Sequence, residues 1–168
     1  ELLQQVLSFA AVLKTRFQIK PGERAALMFY NQKEFLVSFY ALRLLGAVVV
    51  PINMQLAPDD IGYVITHSGS RLIIATAELA QKLLPLLSAS GGSQAPLPSL
   101  IVANLPETIR SIEPSPAAPY VSFEKLIEQA PDKEASTLAA DLQPAETPEM
   151  NVLLYTSGTT GRPKGVML

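Results

Sequence analysis

Apolar residues at Leu2, Val6, Phe9 and Leu13, with Leu3, Leu7 and Ala10 beside them, recur at helical intervals and predict an amphipathic opening helix. Pro21 and Gly22 lie beyond its end. Residues 24–29 read as a short strand. Asn31, followed three positions later by Glu34, has the form of an N-cap leading a helix that runs to Leu45. Gly46 suits the left-handed position past a helix end. Residues 47–50 are a β-branched run of the kind buried on both faces of a parallel sheet, ended by Pro51.

Pro58 at a first helical position, with Asp59 and Asp60 in the positive first turn, predicts a further helix ending near Gly69. A strand follows over 71–75, then a helix over 77–87 that Thr76 can cap, a small-residue loop over 88–93 and a strand over 100–103. Such alternation predicts an α/β fold, a mainly parallel sheet with helices on both faces. Prolines then recur at 96, 98, 106, 114, 116, 119, 131, 144 and 148, and only residues 122–129 look helical among them. This stretch is expected to pack on the body as a surface excursion. Residues 151–155 return to strand composition. The expected division is an alternating body over 1–103, a Pro-rich excursion over 104–150, and a strand with its loop over 151–168.

With 168 residues, 48% of them hydrophobic, the chain can bury a substantial core. Residues 35–52 are apolar enough to raise the question of a membrane span. They contain Arg43 and Gly46, change period near Gly46 and stop at Pro51, so a buried helix followed by a buried strand is the better reading. Thirteen Lys and Arg against 15 Asp and Glu leave a net charge of -2 with no basic stripe, and nucleic acid is not an expected partner. The absence of Cys, with His67 the single His, rules out a disulfide framework, a thiol nucleophile and a Cys/His zinc site within these residues. Any metal would be a hard cation held mainly by oxygen. The chain opens on Glu1, shows no basic leader, and closes on a strand-like run at 165–168, so it is expected to be a segment of a longer cytoplasmic protein, at most peripheral to a membrane. The oligomeric state is left open.

The chemistry concentrates after the strand at 152–155, in Thr156-Ser157-Gly158-Thr159-Thr160-Gly161-Arg162-Pro163-Lys164-Gly165. Glycines let backbone N–H groups converge on an anion, hydroxyls add donors that rotate to fit, and a lysine brings a mobile positive charge. The loop is not the ATPase P-loop, since Pro163 stands where that pattern needs Gly before the lysine, and no GxGxxG occurs. By composition alone it reads either as an ordinary loop or as a polyphosphate site.

As a whole string, residues 156–166 resemble the phosphate-binding signature of the adenylate-forming superfamily, which comprises acyl-CoA synthetases, firefly-type luciferases and the adenylation domains of peptide synthetases. Upstream, Lys20-Pro21-Gly22-Glu23-Arg24 with residues 25–29, and Leu42-Arg43-Leu44-Leu45-Gly46-Ala47-Val48-Val49-Val50-Pro51-Ile52-Asn53, look like two N-terminal blocks of the acyl-CoA synthetase branch. Asn53 after Pro51-Ile52 is the form usual in that branch, where peptide-synthetase domains carry Asp. The resemblance covers most of the chain apart from its Pro-rich middle, and implies part of the large N-terminal domain of such an enzyme.

It implies a two-step ligase, in which a carboxylate attacks the α-phosphate of Mg-ATP to give an acyl-adenylate and pyrophosphate. A thiol, that of coenzyme A by the branch pattern, then displaces AMP. The protein is asked mainly to position reactants and neutralise charge on the departing pyrophosphate. Carried over by position, Ser157, Gly158, Thr159, Thr160, Gly161 and Lys164 would hold the β- and γ-phosphates, Thr156 would also assist Mg²⁺, and Lys164 would stabilise developing charge. Arg162 occupies a variable position and receives no role; Pro163 stiffens the approach to Lys164. A fatty acid of medium or long chain is the branch default for the substrate. An amino- or aryl-acid adenylation domain and a non-catalytic nucleotide-binding module are the alternatives.

The resemblance also implies parts that residues 1–168 do not contain: an aromatic-Gly-x-Thr-Glu segment whose Glu binds Mg²⁺, an Asp for the ribose, and a C-terminal domain with a second lysine. This chain alone is therefore expected to catalyse neither step and at best to bind ATP weakly. Glu146 and Glu149 read as surface carboxylates, and Asp59 with Asp60 as first-turn charges. His67 is expected to serve the C-terminal dipole of its helix, ahead of any role as a base. Tyr30, Phe35, Phe39 and Tyr40 are expected to pack in the core.

Overall fold

The computed structural model describes residues 1–89, 98–106, 120–140, 151–156 and 162–168. Its elements are α1 (Leu2–Thr15), β1 (Arg24–Met28), α2 (Lys33–Leu44), β2 (Val48–Pro51), α3 (Pro58–Ser68), β3 (Leu72–Thr76) and α4 (Ala77–Ala89), then β4 (Ser99–Ala103), β5 (Val121–Ser122), α5 (Phe123–Glu128), α6 (Asp132–Ala140), β6 (Leu153–Thr156) and β7 (Lys164–Met167). Strands β1 to β5 form one sheet in the order β2-β1-β3-β4-β5, every neighbouring pair parallel. The mainly parallel α/β sheet read from the sequence is the observed one.

Successive strand residues point to opposite faces, and both faces are covered. Ala25, Leu27, Val49, Leu72, Ile74 and Ile101 pack with Phe9, Leu13, Val37, Leu42 and Phe123, from α1, α2 and α5. Ala26, Met28, Val48, Val50, Ile73 and Val102 pack with Ile61, Val64, Leu79 and Leu83, from α3 and α4. The two apolar layers explain why strands 48–51 and 72–76 read as continuous apolar runs and not as alternating ones.

Local signals set most element ends. Gly46 (φ +69°) takes the left-handed position after α2, and a Cβ there would lie 3.2 Å from Pro21 Cβ. Pro58 stands in the first turn of α3, Gly69 (φ +65°) closes it, and Thr76 Oγ1 accepts from Leu79 N at 3.4 Å to cap α4.

Three expectations need correction. The N-cap of α2 is Gln32, in extended backbone with no side-chain cap bond, so Asn31 stands one residue too early for that role. Tyr30 and Tyr40 are 47% and 52% exposed: Phe35 and Phe39 fill the inner side of α2 while Tyr40, with Leu36 one turn before it, faces outward. The Pro-rich stretch, where only 122–129 reads as helical, also contains helix α6 and the short β5. Helix α6 lies along α1, with Lys14 Nζ 2.5 Å from Glu134 Oε1 and Ala135 packed among Leu7 and Ala11. No helix among the described residues is long and apolar enough to cross a membrane.

Candidate functional site

Strand β6 leaves the sheet beside its edge strand β2. Val49 N donates to Asn151 O at 3.2 Å, and Val49 bridges Val152 in the parallel sense. Arg43, in the last turn of α2, holds the start of the strand: Nη1 donates to Ala47 O at 2.7 Å and Nη2 to Asn151 Oδ1. One guanidinium thus ties the α2–β2 turn to the root of β6. Burial lowers the Arg43 pKa from its ordinary value, but a guanidinium keeps its charge in proteins. Because β6 runs parallel to β2, its carboxyl end points to the same edge as the carboxyl ends of β1 to β5, the edge at which α/β sheets bind ligands.

Strand β7 returns antiparallel, pairing Leu153 with Met167, Leu154 with Val166, Tyr155 with Gly165 and Thr156 with Lys164. Leu168 closes the base, donating to Val152 O at 2.9 Å and accepting from Val152 N at 3.0 Å. Thr156 and Lys164 are directly opposed at the mouth and both exposed, and opposed residues of an antiparallel pair share a face at about 5 Å between Cβ atoms. Ser157, Gly158, Thr159, Thr160 and Gly161 lie outside the described residues, as do Glu146 and Glu149. Two members of the expected phosphate-binding set are therefore placed, and placed side by side.

Leu153 and Tyr155 are on the other face of the hairpin, packed into the layer formed with α3 and α4. Gly165 makes room for the tyrosine ring: a Cβ there would lie 3.3 Å from Tyr155 Cζ and 3.2 Å from Leu153 Cδ1. The Tyr155 hydroxyl and His67 Nδ1 share a hydrogen bond at 2.8 Å, with the two rings edge-on at 5.8 Å. His67 is one helical turn from Tyr63, at a ring separation of 5.1 Å, and Arg162 Cζ lies 5.1 Å from the Tyr63 ring centroid. Burial, and secondarily Tyr63, raise the Tyr155 pKa, while Arg24 opposes the rise.

Sequence reasoning missed this cluster. His67 does stand in the last turn of α3, as expected for a dipole partner, but its described hydrogen bond is to the hairpin. Tyr63 belongs to no motif in the sequence, and Arg162 occupies a variable position of the signature. The four-residue spacing of Tyr63 and His67 was the available signal, and nothing near them in sequence identified their partners on the far side of the chain. Asp59 and Asp60 are in the first turn of α3, as read. Among the described residues, no group of three or more His, Cys, Asp or Glu could hold a metal ion.

Similar proteins share this architecture. The chain is 32% identical over 146 residues to a 3-hydroxybenzoate–CoA ligase of Aromatoleum sp., a match covering 87% of this chain and 24% of that protein. It is 31% identical over 157 residues to a long-chain-fatty-acid–CoA ligase of Mycobacterium tuberculosis, covering 91% of this chain and 26% of that one. The crystal structure of an anthranilate–CoA ligase in complex with anthranoyl-AMP superposes with a TM-score of 0.75 at 26% identity, over 99% of this chain and 28% of that one. The chain spans about a quarter of the length of these relatives. The model of the family described as AMP-binding enzyme matches residues 1–168, and the chain belongs to that family.

Proposed function

We propose that these residues are the N-terminal part of an ATP-dependent, AMP-forming acid–thiol ligase, and that the β6–β7 hairpin carries its phosphate-binding loop. The observation that carries this reading is the pairing of Thr156 with Lys164 at the mouth of a hairpin whose leading strand ends at the ligand-binding edge of the sheet. The proposed division keeps 1–103 as the alternating body, 104–150 as the Pro-rich excursion and 151–168 as the strand with its loop.

In the first step a carboxylate oxygen attacks the α-phosphorus of ATP, the bond to the bridging oxygen breaks, and pyrophosphate departs from the acyl-adenylate. Lys164, with Ser157, Gly158, Thr159, Thr160 and Gly161, is proposed to hold the β- and γ-phosphates and offset the charge gathering on them. Of this chain's residues, the Thr156 hydroxyl would be the oxygen donor to Mg²⁺, a hard cation that takes few protein ligands and would help offset phosphate charge. In the second step the sulfur of coenzyme A attacks the acyl carbon, AMP leaves, and a thioester remains. The cytoplasm, with at most peripheral membrane contact, is the proposed setting.

The acid is proposed to be a medium- or long-chain fatty acid, the branch default, which the long-chain-fatty-acid–CoA ligase relative supports. The hydroxybenzoate relative, at 32% identity, favours an aryl acid as the second reading. Carboxylate-dependent exchange of pyrophosphate into ATP, run on the full-length protein with dodecanoate, benzoate and 3-hydroxybenzoate, separates the two. Lys164→Ala is expected to slow exchange by more than about tenfold, as for loss of a transition-state charge contact. An unchanged rate overturns the role of the lysine, and exchange catalysed by the 168-residue chain alone overturns its expected inactivity.

A further inference from the structure

Resting on the phosphate-binding reading, the geometry points to Tyr63 and His67 of α3 as positioning residues that hold the mouth of the β6–β7 hairpin, and with it Thr156 and Lys164, in the orientation that receives polyphosphate. A two-stranded hairpin is marginal by itself. This one is fastened to the body at its root, where Asn151 meets Arg43 and Val49, and Leu168 pairs with Val152 there to close its base. Its four-residue strands extend about 13 Å beyond that root at roughly 3.3 Å per residue, and every residue of β7 is exposed. Fastened at the root alone, Lys164 would sit at the free end of a lever.

Helix α3 fastens the other end, at two points. Tyr155, one residue before Thr156, reaches His67 by the 2.8 Å hydrogen bond; Arg162, two residues before Lys164, rests on Tyr63. One helical turn therefore grips both sides of the connection between β6 and β7. The Tyr155–His67 contact is on the face opposite Thr156, so it fixes the hairpin without occupying the face that presents the paired hydroxyl and ammonium. Gly165 belongs to the same device, because a side chain there would press on the Tyr155 ring that delivers the hydroxyl. Misplacement by as little as 1 Å in groups that meet a reacting ligand can cost about a hundredfold, so a small tilt of this mouth is consequential.

The test compares equilibrium binding of Mg-ATP with that of AMP by the full-length protein. AMP lacks the β- and γ-phosphates and reports whether the remainder of the nucleotide site is intact. His67→Phe, which keeps a ring against Tyr63, and Tyr155→Phe, which removes only the hydroxyl, are each expected to raise Kd for Mg-ATP about fivefold, the equivalent of one hydrogen bond, with Kd for AMP unchanged. The double variant is expected to be no worse than either single one. Arg162→Met is expected to weaken Mg-ATP about threefold, with partial recovery in Arg162→Lys. Lys164→Ala serves as the reference. If it leaves Mg-ATP binding intact, the phosphate reading itself fails. If it weakens Mg-ATP while the His67 and Tyr155 variants do not, or if those variants weaken AMP equally, the positioning role is overturned and the phosphate reading stands.

Discussion

Arg43→Met should loosen the root of the hairpin without unfolding the sheet. The substitution keeps most of the apolar stem and removes two charge-assisted hydrogen bonds, to Ala47 O at 2.7 Å and to Asn151 Oδ1. Each such bond contributes about 1.5–3 kcal/mol. Arg43 is only half-buried, so water replaces part of both, and the expected loss is about 2–3 kcal/mol for the pair. That loss should be local. The β1–β3 ladder, in which Ala26 opposes Ile73, makes no use of Arg43, whereas β6 is tied to β2 at its root by the Val49 N–Asn151 O bond and the Val49–Val152 bridge, and beyond the root by Leu153 and Tyr155 packed in the α3/α4 layer. Native-state amide hydrogen exchange reads the difference directly: protection in β6 and β7 should fall about 30- to 150-fold while the amides of β1 and β3 keep theirs. Equal loss in every strand would mean that Arg43 supports the whole fold, and unchanged protection in β6 would mean that the guanidinium does not anchor the hairpin. Either result refutes the reasoning.

Two further outcomes follow from single residues. Gly46→Ala forces a Cβ into the left-handed region and to 3.2 Å from Pro21 Cβ. The expected cost is about 1–2 kcal/mol, seen as a Tm lower by roughly 2–8 °C; an unchanged Tm would show that the turn relaxes freely. Tyr155 gives a pH dependence. With its pKa raised in the folded state, first by burial, the folded protein keeps a proton that the unfolded chain releases near pH 10, so the contribution is full below about pH 10 and is lost as pH rises through the folded pKa. The stability difference between the parent and Tyr155→Phe, from urea unfolding, should therefore shrink above that pH, and a difference independent of pH would contradict the assigned shift.

Periodicity and punctuation made most of the fold legible. The apolar run at 47–50 declared a strand covered on both faces, and Gly46, Pro58, Gly69 and Thr76 act at element ends as their local chemistry dictates. What escaped was non-local. Helix α6 is weakly apolar, with Ala135 its single buried residue among those described, so its helical character comes from docking on α1 through contacts such as Lys14–Glu134. The two-residue β5 is too short to show any period, and owes its strand character to pairing with Ile101 and Val102. At the site, a string of Ser, Thr, Gly and Lys can be read locally as anion chemistry, and the opposition of Thr156 to Lys164 was the consequence of strands flanking it. The cluster of Tyr63, His67, Tyr155 and Arg162 joins two regions that only the fold brings together, and no local pattern encodes it.

The proposed assignment of phosphate chemistry to the hairpin departs from the position that the sheet topology offers first. In the order β2-β1-β3-β4-β5 the chain changes direction between β1 and β3, and the crevice outside their carboxyl ends is the usual ligand site of such sheets. Here that crevice faces the start of α4, whose positive end is already served: Glu78 is in its first turn, and Leu79 N–H donates to Thr76 Oγ1. Tyr30 reaches across to Glu78, its hydroxyl 3.4 Å from Oε1. A polyphosphate entering there would meet a carboxylate on a helix end with little positive potential to spare. On the far side of the sheet, beyond β2, the hairpin mouth presents Lys164, which makes no ion pair among the described residues, opposite the hydroxyl of Thr156. Electrostatics thus favours the added strand over the switch point. With polyphosphate at the proposed place, the anchoring of β6 by Arg43 and the proposed hold of α3 on its mouth would serve binding as much as stability.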